Sequence, residues 1–349
     1  MVRREDRNDS GAVAIMVALL SVVLIGVLAF VADFGMAYAN QRNLQNGVDA
    51  AVLAVGHEVA LTAPGTADCN AMGVQALNSR TLAEDFFRRN APDSGAALAA
   101  GVAGFNAACN ANDQLVITAK AEQASPAFFG GIFGSDEVSI GEQARAMVGP
   151  AGTVVGLRPF AICQAMADLV KSNPGQLHTF DFDNANLGCG YSPGNWALLD
   201  FNGGNNATTE VSQWIQDGYS GPISVSPPVL IDGNPGAPNP GAFQTEMGLM
   251  MGDDIVLPVF DQFLPGQNGG NAQLRITGFV SVKGCAWKFN NKSGKDSICG
   301  DLTAVPTPIP ANYLQIKFSK FVPIGELHLT CSLAAAGCDN GVRLSKLAD

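Results

Sequence analysis

The chain has 349 residues, 47% of them hydrophobic and only 15% charged, with 40 glycines and 19 prolines. Its net charge of −11 at pH 7 argues against nucleic-acid binding, because that affinity comes from Lys and Arg neutralising phosphates. The length is enough for a membrane anchor followed by two folded domains.

Arg3, Arg4 and Arg7 precede the stretch Ala12–Ala32, AVAIMVALLSVVLIGVLAFVA, which holds no charge and no proline. At ~1.5 Å rise per helical residue it reaches about 31 Å, the thickness of a bilayer's hydrocarbon core. Glu5, Asp6 and Asp9 dilute the basic cluster, but the orientation rule counts Lys and Arg, so residues 1–11 are expected in the cytoplasm and the remainder outside. A cleaved signal peptide is the competing reading, since Ala37-Tyr38-Ala39 offers an A-x-A site before Asn40. A secretory apolar core is usually ~7–15 residues, however, and this site lies well past the end of a much longer one. A retained anchor is expected.

The helical pattern continues beyond the span. Leu44, Val48, Ala51, Val52, Val55 and Val59 recur at three- and four-residue spacings, with Gln41, Arg42, Gln45, Asn46 and Asp49 between them. This predicts one long stem to about Leu61, ended by Pro64-Gly65. Its apolar stripe requires cover, either from the chain's own head or from a partner's stem. A second helix is expected from Arg80 to Arg89, a strand at Leu115–Ala121, a short apolar helix or turn at Ser125–Gly134, and a strand at Val138–Val148.

After Gly149-Pro150 the chain becomes rich in Asn, Gly and Pro. Short strands are expected at Leu177–Phe182, Trp196–Phe201, Ile223–Leu230, Asp254–Pro258, Leu274–Val282 and Leu314–Phe318, and a helix at Thr209–Gln216 with Trp214 facing inward. Asp232–Gly241 (DGNPGAPNPG) reads as an exposed loop, and Ala304–Pro310 (AVPTPIP) as extended chain. All eight cysteines (Cys69, Cys109, Cys163, Cys189, Cys285, Cys299, Cys331 and Cys338) follow the span. An even count on the exported side reads as disulfides, with sequence neighbours pairing as the simplest scheme. Buried free thiols are the alternative. No CxxC occurs and there are three histidines, which leaves little to build a zinc site.

The polar landmarks around the span are ordered. Arg7 and Gly11 precede it; Asp33 follows at once, then Gly35, Tyr38, Arg42, Leu44-Gln45-Asn46, Asp49-Ala50-Ala51 and Leu53-Ala54. In this order the segment resembles the TadE/TadG-like family of tight-adherence (Flp) pilus assembly proteins. The runs LVITAKA, AFFGGIFG and VSIGEQARAMV resemble the strand–turn–strand element that follows in that family, extending the likeness to about residues 7–150. Flp pilins carry a glutamate five residues after the glycine at which they are cut; here that position is Met16. The resemblance therefore points to the TadG-like branch, an anchored assembly factor rather than a processed filament subunit. A DxSxS metal motif, found in the von Willebrand A domain of some long TadG-like proteins, is absent from the sequence.

Gly190-Tyr191-Ser192-Pro193-Gly194 matches GxSxG, but the residue after the serine must donate its N–H to an oxyanion, and Pro193 has none. Asp181, Asp183 and the oxygen side chains through Asn186 alternate as in calcium loops, yet Asn186 replaces the sixth-position glycine and Ser192 the twelfth-position glutamate. His57, His178 and His328 are scattered. Trp196, Trp214 and Trp287 with Tyr191 and Tyr219 read either as a glycan-binding face or as core. Asp33 reads either as a partner contact at the bilayer interface or as a solvated boundary residue.

The expected fold class is α+β: a long N-terminal transmembrane/stem helix, a small α+β module and a mainly β, disulfide-bonded C-terminal domain. The expected divisions are 1–11 (cytoplasmic N-terminus), 12–32 (transmembrane helix), 33–150 (extracytoplasmic stem and module) and 151–349. The expected role, implied by the resemblance, is a non-catalytic, cofactor-free component of Flp pilus assembly in the bacterial inner membrane. Its expected partners are the membrane and other Tad/Flp assembly proteins or pseudopilins, met along the stem at Asp33, Arg42, Leu44, Val48 and Asp49. A surface adhesin or glycan-binding module on a membrane stem, and a membrane-tethered hydrolase, are the alternatives.

Overall fold

A computed structural model of the chain describes residues 10–92, 94–134, 136–182, 198–203, 208–233, 244–264, 272–289, 292–293, 298–300, 310–328, 330–333 and 337–348. In chain order its elements are α1 (Ser10–Thr62), α2 (Cys69–Asn78), α3 (Arg80–Asn90), α4 (Gly101–Gly104), β1 (Phe105–Cys109), β2 (Leu115–Pro126), a 3₁₀ turn (Gly130–Phe133) and β3 (Glu137–Val154). Then come β4 (Ile162–Cys163), α5 (Gln164–Ser172), β5 (Leu177–Asp181), β6 (Leu199–Asp200), α6 (Thr208–Asp217), β7 (Ile223–Ser224), β8 (Val229–Gly233), α7 (Gln244–Met250), β9 (Asp254–Leu264), β10 (Gln273–Phe289), β11 (Lys292–Ser293), β12 (Tyr313–Phe318), β13 (Gly325–Leu327) and β14 (Arg343–Leu347). This is the expected α+β class with a long N-terminal helix and a mainly β C-terminal region. Two compact units divide it: Met1–Ala51 with Thr81–Phe105 and Thr118–Ala144, and Val52–Arg80 with Asn106–Ile117 and Arg145–Asp349.

In the first unit, residues of α1 up to Phe34 present their large apolar side chains outward, whereas Leu44 and Val48 are fully buried. Close packing explains Gly47: a Cβ there would lie 2.8 Å from both the Phe87 ring and the Ala91 methyl, so α3 reaches the helix only because no side chain intervenes. The last turn of α3 carries Arg88 and Arg89, which favours its dipole. In β2 the inward-facing Ala119, Ala121 and Ser125 alternate with exposed residues, the period of a half-buried strand.

The second unit is built on β10, whose seventeen residues are buried at most positions. One of its edges pairs antiparallel with β9 along its length, from Gln273↔Leu264 to Lys283↔Asp254. The other edge takes β8 at its start and β12 towards its end. β12 in turn pairs with β5, and β4 runs parallel to β9. Phe160 stacks on Phe289 at 6.0 Å, and Phe180 meets Phe182 edge-on at 4.7 Å, which places an aromatic cluster over this sheet. The C-terminal half of β3 supports a second set of strands: β14 pairs with Ala146–Pro150, while β13 and β7 pair with residues 151–154.

Disulfides join Cys69 to Cys109, Cys285 to Cys299 and Cys331 to Cys338. Cys163 is also disulfide-bonded; its expected partner, Cys189, lies outside the described residues. The end of α1 is held by charge. Lys320 donates to the Thr62 carbonyl at 2.5 Å, one of the carbonyls that a helix C-terminus leaves unpaired.

Just beyond, Arg343 is 1% exposed and is hydrogen-bonded through all three of its guanidinium nitrogens. Its Nη1 donates to Pro64 O at 2.9 Å, and its Nη2 to Gly65 O at 3.2 Å and Ala67 O at 2.8 Å. Its Nε and Nη2 donate to Asp339 at 3.0 and 2.6 Å. The guanidinium thus satisfies a loop that has no ladder of its own. Arg343→Met leaves the Asp339 carboxylate buried and unpaired, and chemical denaturation of the full chain is expected to show a loss of about 3–5 kcal/mol. Arg343→Lys does not restore it, because one ammonium cannot span the same fork of acceptors. In the first unit, Gly47→Leu forces a side chain into the Phe87 contact and is expected to cost about 1–3 kcal/mol by the same measurement.

Candidate assembly interface on the stem helix

Phe30, Asp33, Phe34, Ala37, Tyr38 and Gln41 fall on one face of α1, since they recur at three and four residues. Opposite them stand Ala127 and Gly130 from the turn and Val138 and Ile140 from β3; the open groove between them has a volume of about 370 Å³. The turn is fixed to the helix by Asp33. Its Oδ2 accepts the backbone N–H of Phe129 at 3.0 Å and of Gly130 at 2.9 Å, capping the 3₁₀ turn from another segment, as a side-chain oxygen caps any helix start. Gly134, with φ 81°, ends that turn in the left-handed region that glycine occupies at little cost.

Two further bonds continue the seam: Asn40 Nδ2 donates to Ser125 Oγ at 2.9 Å, and Gln41 Nε2 to Glu142 Oε1 at 2.5 Å. Apolar surface dominates the exposed flank. Phe30 stacks on Phe34 with centroids 6.1 Å apart, and Phe128 and Phe129 are exposed beside them. The Arg42 guanidinium lies over the Tyr38 ring, 5.4 Å from its centroid. Asp33 Oδ1 is buried and has no hydrogen-bond partner among the described residues.

Residues 11–60 match the Flp pilus-assembly TadE/G-like family. The matched segment is the helix just described, and the likeness is to that family over this segment. The same helix is long and apolar enough to cross a membrane, with a mean hydropathy of 3.0 in its most apolar window, 6% of which is buried. No curated protein matches the chain, and no solved structure does.

Within the TadE/G-like segment, the five positions read as partner contacts have different surroundings. Leu44 and Val48 have no accessible surface, because the chain itself covers them. Asp49 is half-buried and accepts from Gln45 Nε2 at 2.7 Å. Arg42 is exposed, and Asp33 is half-buried in the seam. The role of Asp33 as a cap for a distant turn was missed in sequence. The signal was there in the paired glycines of AFFGG, whose backbone N–H groups are open to a carboxylate.

Elsewhere, the GxSxG serine (Ser192), residues 183–186 of the calcium-like run, Trp196 and Tyr191 lie outside the described residues. Trp214 and Trp287 are core residues, 6% and 1% exposed, and Trp214 packs edge-on against Tyr219. His328, Cys331 and Cys338 converge, as do Cys69, Cys109 and Asp113. Their sulfurs are in disulfides and so are not thiolate ligands.

Burial holds the imidazoles of both His178 and His328 below the ordinary value of 6.5, against backbone hydrogen bonds that act the other way. Both therefore favour the folded state when neutral. As pH falls through about 6.5 the unfolded chain takes up protons that the folded chain refuses, so the stability they contribute is present above that pH and lost below it. The melting temperature is expected to fall on acidification from about pH 7.5 to about pH 5, and a His178→Gln, His328→Gln double variant to show a shallower fall.

Proposed function

We propose that the chain is a membrane-anchored, non-catalytic component of Flp pilus assembly, of the TadG-like kind. Residues 1–11 lie in the cytoplasm, residues 12–32 cross the inner membrane, and the acidic head beyond them stands outside and presents surfaces to other Tad proteins or pseudopilins. The observation that carries the reading is the coincidence of the TadE/G-like match with one helix whose first half exposes apolar side chains and whose second half is buried. Arg3, Arg4 and Arg7 support the orientation through the excess of positive charge on the cytoplasmic side. The disulfides support an oxidising compartment for the head.

Because Leu44 and Val48 are covered by the chain itself, partner helices meet α1 lower down, along Val13–Phe34, while Arg42 and Asp49 remain at the rim. Pro193 speaks against hydrolase chemistry at Ser192, since it removes the oxyanion donor. Deleting the gene is expected to abolish or sharply reduce piliation seen by electron microscopy, and the tagged full chain to co-purify with pilus assembly proteins from detergent extracts. Normal piliation together with no such co-purification would overturn the proposal.

A further inference from the structure

Three contacts fix the height of the neighbouring strands β2 and β3 along α1. Asn40 holds Ser125 at the end of β2, Gln41 holds Glu142 in β3, and Asp33 holds the backbone of Phe129 and Gly130 between them. Asn40 and Gln41 lie ~10–12 Å beyond Asp33 along the helix, at ~1.5 Å per residue. The connection between the two strands therefore points back towards the start of α1, and its tip stands level with Asp33. Ala127 N donates to Asp136 O at 2.8 Å and closes the strands above that tip.

The tip is composed for an apolar layer. Phe128–Gly134 reads FFGGIFG, large apolar residues and glycines with no charge. Phe128 is 68% exposed and Phe129 40%, and adjoining exposed rings of this kind mark a contact surface. Its backbone is provided for as well. Asp33 accepts the N–H groups of Phe129 and Gly130, and Gly134 N donates to Gly131 O at 3.2 Å. Polar backbone groups that are already paired enter an apolar layer at less cost. Asp136 and Glu137 on the return are exposed and limit the depth of entry, because a charge keeps its water.

Height decides what the rings meet. Asp33 is the first residue after the apolar stretch Ala12–Ala32. Where that stretch crosses a bilayer, the tip lies in the headgroup layer, which is roughly 5–7 Å thick on each side. Phe30 and Phe34 are exposed on α1 at the same level, so the rings of the tip extend the outward apolar surface of the helix. We propose that the β2–β3 tip is a second membrane contact, with Phe128 and Phe129 resting in the interface of the extracytoplasmic leaflet as an interfacial element does. The proposal rests on the membrane-spanning reading of α1. A single helix lets the residues packed on it tilt over the bilayer; a helix and a tip together fix their tilt.

The test uses the full chain in nanodiscs of phosphatidylcholine, either plain or brominated on the acyl carbons nearest the headgroup. A fluorescent amino acid replaces the exposed Phe128 or, as a control next to Glu142, the exposed Gln143. The label at position 128 is expected to lose most of its emission in brominated discs, and the label at 143 to keep it. Equal emission at 128 in the two kinds of disc would overturn the proposal. A photo-crosslinking residue at 128 gives an independent reading in cells. Capture of phospholipid is expected, whereas capture of a polypeptide in its place makes the tip a protein contact and overturns the membrane assignment. Alkaline carbonate extraction separates the two failures: a chain released from membranes sinks the spanning reading, while one that stays but holds its tip in water sinks only the second contact.

Discussion

One helix carries two kinds of surface. α1 runs from Ser10 to Thr62 without a break, and its backbone pairs internally throughout, which is the condition for entering hydrocarbon. Only its side chains record the change of surroundings: Val13 to Phe34 face outward with aliphatic and aromatic surface, whereas Leu44, Val48, Ala51, Val52, Val55 and Val59 lose all their exposure. Asp33 stands at the changeover as the first charge after the span. Because its carboxylate is committed to the Phe129 and Gly130 N–H groups, the turn is tied to the helix at that changeover.

The second unit solves a different problem. It has many glycines and prolines and few charges, so it gains little from surface ion pairs, which are weak in any case. Its order comes from the buried length of β10, from cross-links, and from single polar groups bonded to several partners at once. Arg343 is the clearest of these. A loop leaving a helix has carbonyls short of donors; Pro64 O accepts from Ala67 N–H within the loop, and one planar guanidinium supplies donors to it and to Gly65 O and Ala67 O while Asp339 neutralises the charge.

Signals that agree over a long stretch of chain are legible in the sequence alone. The long helix and its end near Pro64 were legible because apolar spacing, charge placement and a helix breaker agreed over dozens of residues. The expected Leu314–Phe318 matches β12 to within one residue, whereas β9 and β10 run past their expected ends: β10 reaches Phe289 and β9 reaches Leu264, because strand ends depend on pairing partners distant in sequence. α2, α5 and α7 went unread. Each is ten residues or fewer, too short to be stable or visible by periodicity alone. α2 in addition depends on Asp68, whose side chain accepts from Ala71 N at 2.8 Å.

By itself the sequence determined that an apolar helix of membrane length leads into an amphipathic stem with TadE/G-like landmarks, because those facts live in local composition and spacing. It could not determine what covers the stem or what Asp33 does. Leu44 and Val48 repeat in the same way whether a partner or the chain's own Phe87-bearing helix lies beside them. Asp33 becomes a cap only when a turn almost a hundred residues later is brought to it. Those are long-range contacts, and only the tertiary structure decides them.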